Sequence, residues 1–245
     1  MKKPLSLIFM LAAALTVSAC EEEPSAAATS VGEVDWTAVA AWPPGDVPAD
    51  VTVEAMPDPD RTVTVIVLDD SGSMGSAIEP AKRAILQALD TFEATDRVGI
   101  IALNDGLLVE VMDVASARAV APEVLERVSS DGGTPLGQSF QIARAMLERE
   151  AMAAQGYGTY RILATTDGDA TDGPDLVSEV AHTVTQTPIQ VSTIGIGVGD
   201  RHVLNMPGIT TYVAIESVDD LAAALEGAIA EATVFVAPTA FTETP

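Results

Sequence analysis

The chain has one cysteine, Cys20, and two histidines, His182 and His202, in 245 residues. A single cysteine cannot build a disulfide framework, and so few imidazoles leave little room for histidine-based zinc sites or Cys–His nucleophilic catalysis. Basic residues are also scarce: 12 Lys and Arg stand against 36 Asp and Glu, for a formal net charge of −24. Neutralising phosphates needs a basic surface, so no nucleic acid is expected as a partner. The same balance favours divalent cations and cationic partners. Nor is there a Gly-x-Ser-x-Gly elbow, since Gly72-Ser73-Met74-Gly75 has the wrong spacing. A Gly-x-x-x-x-Gly-Lys phosphate loop and internal repeats are absent as well. The length suits one ordinary domain plus a tail, able to bury a full core without covalent staples.

Long hydrophobic runs are limited to Leu5–Ala19, which follows the basic Met1-Lys-Lys-Pro. A spanning helix needs about 20 residues, so the run reads as a cleaved export signal over 1–19. It ends Leu15-Thr-Val-Ser-Ala-Cys20, which resembles the lipobox of bacterial lipoproteins. That resemblance implies cleavage before Cys20, lipidation of its thiol, and a membrane anchor through the N-terminal lipid. It also implies a bacterial cell-envelope location, extracytoplasmic, facing the periplasm or exposed at the cell surface. Residues 20–60 are rich in Ala, Pro and acid and read as a tether. Trp36 and Trp42 are more than a spacer needs and are expected to pack on the domain. Val51-Thr-Val-Glu54 is expected to form a short edge strand.

The chemistry concentrates after residue 61. Thr62-Val-Thr-Val-Ile-Val-Leu68 is apolar and β-branched with no polar face, as in a central parallel strand buried on both sides. It stops in Asp69-Asp-Ser71-Gly-Ser73, and loops at the carboxyl ends of such strands are where open α/β sheets bind ligands. One carboxylate and two hydroxyls at alternating positions suit a hard cation such as Mg²⁺ rather than zinc. The Asp-x-Ser-x-Ser pattern resembles the metal-ion-dependent adhesion site of von Willebrand factor type A domains. In that family a threonine and a second aspartate come from two later loops. Thr134 in Asp131-Gly-Gly-Thr134 and Asp167 in Thr165-Thr-Asp167-Gly168 stand in the matching order. The resemblance covers residues 61–231, with 232–245 as a C-terminal tail. It implies Mg²⁺ held by Asp69, Ser71, Ser73, Thr134 and Asp167, with Mn²⁺ or Ca²⁺ as further candidates. It also implies a protein ligand that offers an Asp or Glu carboxylate to the metal.

The intervening pattern supports an α/β doubly wound, mostly parallel sheet with one antiparallel edge strand and helices on both faces. Helices are expected from Ile78, over 122–128, from Leu136, over 175–185 and over 218–230. Strands are expected at 97–103, 107–112, 161–166, 189–195 and 211–215, with Asn104-Asp-Gly106 as the hairpin turn. Asp70, Asp105, Asp169 and Asp172 read as solvated loop acids, Asp131 as a shaper of the Gly-Gly loop, and both histidines as structural.

Turn and cap preferences alone would account for any one of the three loops. Their agreement favours a metal-dependent binding module, not an enzyme. A metal-dependent phosphohydrolase on a similar sheet is the first alternative. An aspartyl phosphotransferase of the haloacid dehalogenase type would call for Asp-x-Asp, and Ser71 occupies the second acid's place. A scaffold with a vestigial metal site is the second.

Overall fold

The computed structural model describes residues 32–231. The export signal, Cys20 and the tail over 232–245 lie outside the described residues. Six strands form one sheet: β1 (Thr62–Leu68), β2 (Arg97–Ala102), β3 (Gly106–Asp113), β4 (Thr159–Thr166), β5 (Gln190–Ile196) and β6 (Thr211–Ile215). Their spatial order is β3-β2-β1-β4-β5-β6, with every neighbouring pair parallel except β2 and β3. The expected fold class therefore stands.

All seven residues of β1 are buried, and alternation assigns them to two cores. Ile66 and Leu68 pack beneath α2 (Ile78–Ala88), α3 (Val114–Glu126) and α6 (Leu221–Glu231). Val63, Val65 and Val67 pack beneath α4 (Leu136–Ala153) and α5 (Gly173–Gln186). Helices cover both faces, which is why the central strands carry no polar stripe. A Cβ on Gly137 would stand 2.5 Å from the backbone nitrogen of Leu176, so only glycine lets α4 and α5 approach this closely.

Three expectations need correction. The helix expected over 122–128 runs from Val114 to Glu126 with Pro122 inside it. Asp113 caps it by accepting from the Ser116 backbone N–H at 2.9 Å, and Val114, Ala117, Ala121 and Leu125 bury one stripe. That stripe and its cap outweigh the one hydrogen bond the proline removes. Val51–Glu54 is not a strand; the Glu54 N–H donates to Ala153 O at 2.8 Å instead.

The tether expected to reach residue 60 is fastened to the domain from Asp35 onward. The Asp35 N–H donates to Thr185 O at 2.8 Å, and its carboxylate caps the short helix α1 (Trp36–Ala40). Trp42 meets Tyr160 edge to face at 4.7 Å, whereas Trp36 is 74% exposed. Ion pairs Asp50–Arg149 and Glu54–Arg61 complete the strap. Its partners are the C-terminal ends of α4 and α5 and the amino ends of β1 and β4, so it lies at one end of the sheet. Elsewhere Lys82 is buried on α2, donating to Val128 O at 2.9 Å and pairing with Glu79.

Candidate metal centre

The sheet order reverses between β1 and β4, because α2 carries the chain outward to β2 while α5 carries it the other way to β5. Loops leaving two such strands diverge and open a crevice between them. Asp69, Ser71 and Ser73 follow β1, and Asp167 follows β4. Both loops therefore open at the end of the sheet opposite the strap.

Asp69 is fully buried yet well supplied with donors. Its Oδ1 accepts the Ser71 N–H at 2.9 Å, and its Oδ2 accepts the Thr166 hydroxyl at 2.8 Å and the Asp167 N–H at 3.3 Å. Such bonds satisfy the buried carboxylate oxygens without solvent. Ser73 donates its hydroxyl proton to Asp167 Oδ1 at 2.6 Å. Ser71 Oγ lies 2.9 Å from Ser73 Oγ, and since the Ser73 proton is engaged, Ser71 is the donor. Both hydroxyl protons thus run toward Asp167 and leave oxygen lone pairs free.

The spacing of the two hydroxyl oxygens is that of a hydrogen bond. It also suits neighbouring ligands of an octahedral cation held at about 2.0–2.1 Å, as Mg²⁺ requires. Asp167 carries a carboxyl raised above the usual range, first by burial and further by the Asp69 charge, against the opposing Ser73 hydrogen bond. Two carboxylates placed so gain from a cation between them. Among the described residues no group of three or more His, Cys, Asp and Glu side chains gathers to hold a metal. A cation at this edge would depend on the hydroxyls.

Thr134 is brought to the edge by the backbone bonds of its loop neighbours. The loop before α4 is stitched to the loop after β1 by Asp131 N–H to Asp70 O at 2.9 Å and Gly72 N–H to Gly132 O at 3.1 Å. Ser130 adds its hydroxyl to Ser71 O at 2.6 Å and accepts the Gly75 N–H at 2.9 Å. Thr134 is buried there, 6% exposed, but among the described residues no hydrogen bond joins its hydroxyl to the other four. Four of the five expected residues are linked directly, and the fifth stands beside them. Gly132 takes φ +75°, and a Cβ on it would collide with the Asn104 amide.

Several supporting residues were not foreseen. Asp70 is no solvated acid: it is fully buried and accepts from Asn104 N–H at 2.8 Å, Asn104 Nδ2 at 2.9 Å and Asp105 N–H at 3.0 Å. Asp172 also differs, holding the first turn of α4 through Gly137 and Gln138 N–H groups at 3.1 and 2.9 Å. Asp105 and Asp169 are exposed, as expected. His202 is 4% exposed with its ring against the Asp167 turn, while His182 is exposed on α5.

Residues 64–169 match the family model for the von Willebrand factor type A domain, a little under half of the chain. An uncharacterized protein of Mycobacterium tuberculosis is 30% identical over 118 residues, which is 46% of this chain and 18% of the relative. The chain spans less than a third of the length of the curated relatives it matches. Among solved structures, a von Willebrand factor type A protein from Catenulispora acidiphila superimposes with a TM-score of 0.60 at 19% identity. That alignment covers 75% of this chain and 48% of the other. A manganese-loaded TRAP protein of Plasmodium vivax gives 0.54 at 15% identity, over 69% and 74% of the two chains. At these identities the likeness establishes a common fold.

Proposed function

We propose that this chain displays a von Willebrand factor A-type domain at a bacterial cell envelope, where it binds a protein partner through a divalent cation. Asp69, Ser71, Ser73, Thr134 and Asp167 would hold the cation, Mg²⁺ with Mn²⁺ and Ca²⁺ as alternatives. Once bound, the cation offers a positive, coordinatively open point that attracts an Asp or Glu carboxylate of the partner. The observation that carries the reading is the linked set of Asp69, Ser71, Ser73 and Asp167, two hydroxyls and two carboxylates gathered at the switch point of the sheet. The manganese-loaded neighbour of the same fold supports it.

The module binds and does not turn over a substrate. A cation there would supply a site for the partner's carboxylate, and Ser71 and Ser73, whose hydroxyls donate hydrogen bonds toward Asp167, would present lone pairs to it. A carboxylate can approach so acidic a chain only where a cation reverses the local field. Lipidation of Cys20 after removal of residues 1–19 supplies the membrane anchor. The strap holds the chain from Asp35 at the opposite end of the sheet from the candidate metal residues.

Calorimetric titration of Mg²⁺, Mn²⁺ and Ca²⁺ into the chelator-stripped chain tests the metal, beside Asp69→Ala. One saturable Mg²⁺ site, absent from the variant, is the expected result. No heat of binding to a chain shown folded by circular dichroism removes the cation from the proposal.

A further inference from the structure

Thr166 has one hydroxyl proton and two acceptors within reach: Asp69 Oδ2 at 2.8 Å and the carbonyl oxygen of Gly168 at 3.0 Å. Only one can receive it. If the carbonyl takes it, the buried Asp69 carboxylate loses a strong donor and the turn carrying Asp167 closes on Thr166 instead. If Asp69 takes it, Gly168 O is left to another donor.

His202 stands in that position. Its Nε2 lies 3.1 Å from Gly168 O, and its Nδ1 accepts the Leu204 N–H at 3.2 Å. A nitrogen that accepts cannot carry a proton, so Nδ1 is bare and Nε2 holds the hydrogen. The ring is fixed in that orientation. It is 4% exposed and stacks on Tyr212 with centroids 5.9 Å apart and planes 10° from parallel. Tyr212 is in turn tied by its hydroxyl to Gly199 O at 2.9 Å, and Gly195 leaves the space that hydroxyl needs.

We infer that His202 is a positioning residue for the metal edge: its Nε2–H gives the Gly168 carbonyl a donor, so that the Thr166 proton can go to Asp69 without leaving that carbonyl unpaired. The role rests on the metal reading above, because its purpose is to hold Asp69 and Asp167 as a ligand pair. The inputs run in one direction, Leu204 N–H to His202, His202 to Gly168, Thr166 to Asp69. Burial lowers the affinity of the ring for a second proton, against the opposing pull of the Gly168 carbonyl and of Asp169 and Asp69. The neutral tautomer is thereby favoured.

The test uses the full chain with ¹⁵N-labelled histidine, its second histidine assigned with His182→Gln. Long-range ¹H–¹⁵N correlation of the metal-free protein at neutral pH is expected to show His202 protonated at Nε2 alone. Mg²⁺ affinity is then compared for His202→Phe, which keeps a ring but no donor, and His202→Gln, whose amide can still donate. Loss of a donor that orients metal-holding residues typically weakens binding about 10–100-fold. The Phe variant is expected in that range and the Gln variant much nearer wild type, each shown to be folded in chelator by circular dichroism before titration. A proton on Nδ1, or Mg²⁺ binding by the Phe variant equal to wild type, overturns the role of His202 alone. A wild-type chain that takes up no Mg²⁺ overturns the metal reading and this role with it.

Discussion

Both nitrogens of Asn104, backbone and amide, converge on the same oxygen of Asp70, at 2.8 and 2.9 Å. The amide also donates to Gly133 O at 2.9 Å. Asn104 thereby ties the hairpin turn between β2 and β3 to the loops carrying Asp69 and Thr134. Asp70→Ala strands the Asn104 and Asp105 N–H groups, and each unsatisfied donor costs about 1–3 kcal/mol. Urea unfolding should show a loss of about 2–4 kcal/mol, with Asn104→Ala losing roughly half as much.

Asp167 predicts an opposition between stability and binding. Its folded pKa lies above the ordinary carboxyl value. Ionised Asp167 therefore costs stability above that pKa, and the cost is relieved as pH falls through it toward the unfolded value. Asp167→Asn removes the charge but keeps an acceptor for Ser73. In chelator at pH 7 the variant should melt higher than wild type, and in calorimetry it should lose the Mg²⁺ site.

His202 sets the opposite pH sign. Its folded pKa is depressed by burial, so on acidification the unfolded chain takes up a proton near pH 6.5 that the folded chain still refuses. Stability should fall as pH drops below about 6.5, by at most about 1.4 kcal/mol per pH unit from this residue. Denaturant titrations between pH 7.5 and 5.5 should show a shallower fall in His202→Gln than in wild type.

The two tryptophans of the strap should behave unlike each other. Trp42 packs on Tyr160, so Trp42→Ala should cost about 2–3 kcal/mol in equilibrium unfolding. Trp36 is 74% exposed, and its alanine variant should stay within about 0.5 kcal/mol of wild type. Equal losses at both positions would contradict the strap as described.

The sheet was legible because its evidence is local. β1 is an unbroken apolar run, the helices show stripes at 3.6-residue spacing, and Asn104-Asp-Gly106 marks the hairpin. The candidate metal residues were legible as chemistry, since hydroxyls and carboxylates follow strands that the topology gathers at one edge. What stayed hidden depends on partners distant in sequence. Asp70 looks like any loop acid until Asn104 is seen above it, and His202 is unremarkable until Gly168 meets its ring. The strap reads as tether because its contacts are single residues, Asp35, Trp42, Glu54, each meeting a different element. Pro122 misled for a local reason: it resembles a helix start, and only the buried stripe from Val114 shows the helix already under way.

Lys82 has a practical consequence. It is the only lysine among the described residues, and its ammonium is enclosed between Val128 O and Glu79. Acylating reagents, amine-coupled resins and lysine-bridging cross-linkers find no accessible lysine on this surface while it is folded. Cross-linking is better done through the abundant surface carboxylates. Modification of Lys82 then becomes a clock for opening: any adduct there counts the molecules in which α2 has let go.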